Sequence, residues 1–334
     1  MRKNCLTAVA ILQAVALAGT VYGAVDANVA PDALRARSQK LMGALPEKMP
    51  GAEKDTPARV ELGKKLFFEK QLSQDQTMSC NTCHQVENRK GGVDNEATSL
   101  GVTGKRGGRN SPTVLNAGFQ IAQFWDGRAA TLEDQAKGPI LNPIEMSMPD
   151  EKVVMKRLSA DAVYPALFKE AFAEDADPMT YDNVARAIAA YERTLITRDR
   201  FDDFLKGDDK ALTTQELQGL SLFLKTGCAT CHNGPTLGGN RYHKLGQAHG
   251  YANQSDMGRF DVTKDEADKL KFKTPMLRNV ALTAPYYHDG KILALADAIT
   301  DMAWLQLDKK LDAEETAAIE AFLKSLTDKD RETK

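Results

Sequence analysis

Two short stretches of one kind constrain this chain more than any other feature: Cys80-Asn81-Thr82-Cys83-His84 and Cys228-Ala229-Thr230-Cys231-His232. Two thiols three positions apart share one turn of backbone, where they can form thioethers to the two vinyl groups of a single haem. The histidine that follows then aims its imidazole at the iron. One such pentapeptide also occurs in zinc and thiol-redox sites. The alternative for the pair is a single zinc ion held by all four thiolates, and that site needs no histidine after either pair. The sequence therefore predicts two covalently attached c-type haems, with Cys80, Cys83 and His84 holding the first and Cys228, Cys231 and His232 the second.

The fifth cysteine, Cys5, lies in an N-terminal stretch of a different character. Arg2 and Lys3 form a basic lead, Leu6 to Ala18 is an apolar run too short to span a bilayer comfortably, and Val21-Tyr22-Gly23 before Ala24 has the small residues of a cleavage site. Residues 1–23 read as an export signal cleaved near Gly23 or Ala24, with a retained membrane anchor as the alternative. Cleavage removes Cys5 and leaves only the haem cysteines. An exported chain without a disulfide framework needs another reason to keep cysteine, and haem supplies one.

At 334 residues the chain has room for two domains, each able to bury its own core, so one haem per domain is expected. Lys+Arg of 44 against Asp+Glu of 46 leaves a net charge of −2, which asks for no nucleic-acid partner. No long apolar run follows the signal, so no membrane segment is expected in the mature form.

Residues 24–55 are rich in Ala, Pro, Gly and charge and read as an exposed lead-in with at most a short helix. Thr56-Pro57 opens a firmer helix, an N-cap followed by proline at the first helical position, with Leu62, Leu66 and Phe67 on a partly apolar face. The second haem site has a matching approach. Thr213 and Glu216 form a capping box, Leu217, Leu220 and Leu224 recur at helical spacing, and Gly227 stops the helix. Gly63-Lys64-Lys65-Leu66-Phe67-Phe68 and Gly219-Leu220-Ser221-Leu222-Phe223-Leu224 read as a weak internal repeat of one haem-binding unit.

Residues 87–118 form a long glycine-rich loop over the first haem. Helices resume further on, one with Val184, Ile188, Tyr191 and Leu195 on one face and a tail helix starting at Asp312 and Glu315 with Ile319, Phe322, Leu323 and Leu326 as its buried stripe. Strand-like alternation is scarce. The expected fold is mainly α, two cytochrome c-like haem domains in tandem at 56–200 and 201–334, with a tail helix able to pack back on the first.

Five further segments carry a resemblance: Arg109 to Asn116, Gln123 to Arg128, Glu145-Met146-Ser147, Thr274 to Asn279, and Pro285 to Gly290. With the two pentapeptides in this order, the chain resembles the bacterial di-haem cytochrome c peroxidases from about residue 56 to 328. The resemblance implies a periplasmic enzyme that reduces hydrogen peroxide to water with electrons from a small soluble donor protein, a cytochrome c or cupredoxin, and it is compatible with a homodimer. It makes the first haem peroxidatic, with His84 as proximal ligand and Glu145 as the catalytic base. It makes the second haem the electron-transfer centre, with His232 and Met302 as ligands, and places Trp125 between the two. It also implies a calcium ion held by the Asn110 side chain and the carbonyls of Thr283 and Pro285, an oxygen-only site that suits calcium better than a transition metal. His288 is expected near the second haem as a structural hydrogen-bonding partner, and His243 and His249 as solvated or propionate-facing.

One position departs from the family. Many relatives carry a histidine in the glycine-rich loop that closes the first haem's distal face at rest, and here Val102 stands at that place. Valine cannot ligate iron, so a first haem open to peroxide without prior reduction is expected, with water or Lys105 as the alternative ligands. Two other functions stand beside the peroxidase. One is a relative of the di-haem maturase that oxidises tryptophans of a partner protein, a branch with tyrosine where this chain has Met302. The other is a di-haem electron carrier without peroxide chemistry, against which Glu145 argues.

Overall fold

The structure, a computed structural model, describes residues 30–332, so the export signal expected at 1–23 and Cys5 lie outside the described residues. The chain runs through α1 (Pro31–Leu41), α2 (Pro57–Phe67), a single turn α3 (Cys80–Cys83), α4 (Leu132–Leu141), α5 (Glu151–Ala160), α6 (Tyr164–Ala171) and α7 (Tyr181–Glu192). It continues with α8 (Arg200–Leu205), α9 (Thr214–Thr226), β1 (Tyr242–Lys244), α10 (Phe260–Thr263), β2 (Lys271–Lys273), α11 (Leu295–Leu307) and α12 (Ala313–Lys324). The mainly α expectation holds. The strands form one antiparallel pair, with Tyr242 opposite Lys273. Among the described residues no helix is long and apolar enough to cross a membrane.

The caps read from sequence form as local chemistry demands. Thr56 accepts from Arg59 N at 3.2 Å with Pro57 behind it, and the Thr213–Glu216 and Asp312–Glu315 boxes are closed in both directions. Each box satisfies two of the amide donors that a helix start leaves without partners. Gly227 ends α9 at φ +105, a conformation that favours glycine, and the chain turns at once into Cys228.

Two hydrophobic cores result. The first joins Leu62, Leu66 and Phe67 of α2 to Leu158, Phe168, Val184 and Ile188 of the helices that follow. The second joins Phe201 and Phe204 of α8, Leu220 and Phe223 of α9, and Ile319 and Phe322 of α12. The α12 stripe therefore lies inside the second core, and the segment after the helix reaches back, where Lys329 N donates to the Arg198 carbonyl and Arg331 to the carbonyls of Val86 and Lys90. The expected face of α7 is shorter than its spacing suggested, because the helix ends at Glu192 and Leu195 follows in a turn.

The lead-in is the main correction. From residue 30 on it is packed along one face: α1 lays Leu34 into the second core beside Met42, and Leu45 and Met49 are also buried. Arg35 and Gln39 donate to the carbonyls of Phe204 and Leu205 at the end of α8. Below it Arg278, fully buried, binds both oxygens of Asp199 at 2.6 Å and Asp202 at 3.0 Å, while Leu45 N donates to Asp202. A buried guanidinium with its fork occupied on two carboxylates fixes this junction.

The internal repeat goes deeper than the sequence suggested. Gly63 of α2 crosses α7 and Gly219 of α9 crosses α12 so closely that a Cβ built on either would stand 1.8 Å from a main-chain oxygen, that of Ala187 or Ala318. Asn116 and Asn279, at φ 60 and 63, each open a short 3-10 turn, and both side chains converge on the Thr197 hydroxyl. Gly219→Ala should cost about 1–3 kcal/mol, since backbone oxygen cannot yield as a side-chain tip would. Urea unfolding beside Gly108→Ala, where a Cβ meets nothing within 4 Å, checks this.

Candidate functional site

Each CxxCH pentapeptide opens onto its own cavity. Cys80, Cys83 and His84 line the first, together with Pro112, Phe124, Trp125, Arg128, Ile144, Glu145 and Glu192. Cys228, Cys231 and His232 line the second, with Tyr287, His288, Ile299, Met302 and, again, Trp125. The four cysteines are free thiols in separate cavities, and no cluster of three or more His, Cys, Asp or Glu side chains among the described residues is placed to hold a metal ion. The shared zinc site considered as an alternative is therefore not built.

The donor set fits two haems. Burial pushes the Cys83 thiol up to about 11 and the Cys228 thiol up to about 12, and each pair faces its own cavity three positions apart, as two thioethers to one haem require. His232 shares its Nδ1 proton with the Leu237 carbonyl at 3.2 Å, which leaves the Nε2 lone pair for the cavity. Burial holds that imidazole down to about 4, and it lowers His84 as well, so both rings are neutral donors at neutral pH. Met302 stands on α11 and turns its thioether into the second cavity's wall.

Glu145 follows the end of α4, in a turn tied by its own amide to the Asn142 carbonyl at 3.0 Å. Its Oε1 accepts from Asn142 Nδ2 at 2.8 Å, and among the described residues no hydrogen bond reaches Oε2. Burial raises this carboxyl above its ordinary value, while the Arg128 charge and the Asn142 bond hold the rise back. The carboxyl is thereby held nearer neutrality than a free one, the condition a proton-transfer group needs.

Residues 99–107 form a tight hairpin. Gly101 N bonds Lys105 O at 2.8 Å and Gly107 N bonds Ser99 O at 2.9 Å. Val102 N then donates to Glu145 O at 2.9 Å, and Gly101 lies so close to Ile144 O that a Cβ would stand 1.7 Å away. Leu100 and Gly101 line the first cavity, and neither Val102 nor Lys105 is among its lining residues.

Trp125 lies in the wall shared by both cavities, its indole Nε1 bonded to the Asn110 carbonyl at 2.9 Å and its ring edge-on to His288 at 6.4 Å. The Phe124-Trp125-Asp126-Gly127 turn has a structural twin in Tyr287-His288-Asp289-Gly290, with positive φ at the first and last residue of each. His288 is thus the second half's counterpart of Trp125, a correspondence visible in the sequence only as a shared Asp-Gly. It lies against the second cavity as expected, its ring stacked on Phe272 at 4.2 Å, its nitrogens buried without a hydrogen bond among the described residues and Asp256 4.0 Å from Nε2. His243 bonds Thr274 Oγ1 at 2.6 Å beside the second cavity, and His249 lies half-buried on Trp304 with Asp308 at 2.7 Å.

Asn110 turns its Nδ2 to the carbonyls of Glu96 and Ala97, which fixes Oδ1 on the other side. Asn95 takes the carbonyls of Leu282 and Ala284, the alternate pair to those of Thr283 and Pro285. Asn110, Thr283 and Pro285 line the same cavity. Two functional-looking residues escaped the sequence reading. Glu192, in the buried face of α7, is pushed up to about 8 by burial, and Lys273 lines both cavities. Nothing in their local sequence marks either one.

Two cavities, each built on a CxxCH turn and sharing one tryptophan wall, define a di-haem cytochrome. The sequence pattern of the family described as di-haem cytochrome c peroxidase matches residues 57–210. The chain is 45% identical to cytochrome c551 peroxidase of Pseudomonas aeruginosa over 305 residues, 89% of this chain and 87% of that one. It is 45% identical to cytochrome c551 peroxidase of Nitrosomonas europaea over 80% of this chain and 79% of that one. A crystal structure of a MauG-like protein associated with microbial copper homeostasis superposes with a TM-score of 0.75 at 30% identity, covering 86% of this chain and 94% of the other. The chain belongs to the di-haem cytochrome c peroxidase family, whose name implies two haems.

Proposed function

We propose that this protein is a periplasmic peroxidase that reduces hydrogen peroxide to water at the first cavity, with electrons from a small soluble redox protein entering at the second. The observation that carries the reading is the asymmetry between the cavities: Trp125 is common to both, but the Glu145 carboxyl faces only the first, and Met302 only the second. The haems, held by the two thiol pairs with His84 and His232 as axial donors, would supply the redox chemistry of H2O2 + 2H+ + 2e− → 2H2O.

The chain's own residues do the rest. Glu145 Oε2, the free oxygen, takes a proton from bound peroxide and returns it to the departing hydroxyl, while Asn142 fixes the carboxyl plane through Oε1. Arg128 keeps a fraction of the carboxyl ionised against the cost of burial. Val102 N, bonded to Glu145 O, holds the loop hairpin against this turn and keeps the Val102 side chain off the cavity wall. Met302 gives the second site a thioether, which favours the higher potential of an electron-entry centre. Trp125 offers an oxidisable indole in the intervening wall. Asn110 Oδ1 with the carbonyls of Thr283 and Pro285 would hold a calcium ion, and the Asn110 carbonyl orients Trp125, so the ion would stiffen the bridge.

The test is initial peroxide turnover with a reduced donor protein, begun from fully oxidised and from half-reduced enzyme, alongside EPR of the oxidised form. Turnover without a lag from the oxidised enzyme is expected, since Val102 offers no ligand to release. A strong low-spin signal from the first haem with a lag that pre-reduction abolishes would refute the open site. No peroxide turnover from either state would leave the electron-carrier function instead.

A further inference from the structure

Eight residues line both cavities, Trp125 among them, and Lys273 is the one ionisable side chain of the eight. It ends β2, is 4% exposed, and is tied into the first half at both ends: its amide donates to Trp125 O at 2.7 Å and its Nζ to Ala122 O at 2.7 Å. An ammonium has three protons to donate, and a main-chain carbonyl satisfies one of them. No carboxylate of the described residues pairs with it. The anion that acts on it, Asp126, is already bound by Arg109 at 2.6 Å and by Arg128 at 3.0 Å. Of the other cations lining the first cavity, Arg109 is occupied by both oxygens of Asp256 and Arg128 by Asp126. Burial accordingly pushes the Lys273 ammonium down to about 7.

A buried ammonium with unfilled donors is costly unless an anion meets it. The protein brings none to this place. The ligand of each cavity does, because a haem carries two propionate carboxylates. We infer that Lys273 is the cationic anchor for haem carboxylate in the wall between the two cavities, and that its charge raises the reduction potential of the haem it binds. The inference rests on the reading of both cavities as haem sites. Its sign is fixed by electrostatics: reduction adds one negative charge, which a neighbouring cation favours.

The alternative is that Lys273 merely pins the Ala122 segment. Holoproteins carrying Lys273→Met, Lys273→Gln and Lys273→Arg separate the two, with haem per chain measured by pyridine haemochrome absorbance and midpoint potentials by spectroelectrochemical titration. Met and Gln should shift at least one potential downward at unchanged haem content, and Arg should restore it. Gln keeps a donor for Ala122 O, so it serves if the Met variant does not fold. Two haems with unchanged potentials in Gln would overturn the inference, as would an Arg variant shifted as far as Gln. A wild type with fewer than two haems would overturn the haem reading and this inference with it, a result distinct from either.

Discussion

Glu145→Gln should lower peroxide turnover by roughly two to four orders of magnitude while leaving haem content unchanged, the span that a positioned proton-transfer group contributes. Glutamine keeps the size of the side chain and the oxygen that Asn142 binds, so the turn and the hairpin resting on it through Val102 stay in place. What is lost is the ability of Oε2 to hold a proton. The pH profile adds a second reading. Burial raises the carboxyl, so the acid limb of turnover should fall above the ordinary glutamate value of about 4.3 and should vanish in the variant. Activity requires the ionised form, hence it rises with pH through this limb.

Near-wild-type turnover in that variant would mean that another group moves the proton, and the cavity offers one other glutamate. Glu192 is a poor substitute for a physical reason: pushed up to about 8, it already carries its proton at neutral pH and cannot accept another. For Glu145 the Arg128 charge and the Asn142 bond both work against burial, whereas for Glu192 the Arg193 charge is opposed by Glu133. Two carboxyls line one cavity, and their surroundings assign the base.

The parts of this molecule legible in the sequence were those set by local chemistry. The capping boxes at Thr213 and Asp312, the stop at Gly227 and the turn that delivers each pair of cysteines depend on residues within a few positions of one another. Trp125, Glu145 and Met302 were placed by resemblance, and the structure brings each to a cavity wall. The lead-in was misread because its apolar residues are sparse. Leu34, Met42, Leu45 and Met49 are too few to show helical periodicity, and their partners lie far along the chain: Leu34 and Met42 join the core of α8 and α9, and Met49 lies against Gly118. Lys273 failed for the opposite reason. In Lys271-Phe272-Lys273 nothing local separates the two lysines, and Lys273 is buried because the Ala122–Trp125 segment lies over it. The repeat was under-read because it is conserved as conformation more than as residue type: Asn116 and Asn279 share a left-handed backbone, and Trp125 and His288 share a place, not a side chain.

Replacing both thiols of the second pentapeptide, Cys228→Ser with Cys231→Ser, should yield a chain with one covalent haem and no donor-driven turnover. The two cavities have separate cysteine pairs and the two cores share none of the residues named above for either, so the first half should still fold and load its haem. The second half should fare worse than a simple loss of two thioethers suggests. Leu295 and Ile299 of α11 and Phe223 of α9 face the second cavity, and without a haem against them they lose their apolar partner. A buried apolar face left without filling costs a few kcal/mol per large side chain, so this variant should also unfold its second core at a lower temperature than the wild type. Haem-stained gels, pyridine haemochrome quantitation and thermal unfolding read the three effects independently. If the doubly substituted chain still carried two covalent haems, or if the wild type carried only one, the assignment of one haem to each CxxCH turn would fall, and with it the division of labour between a peroxide-reducing and an electron-entry half.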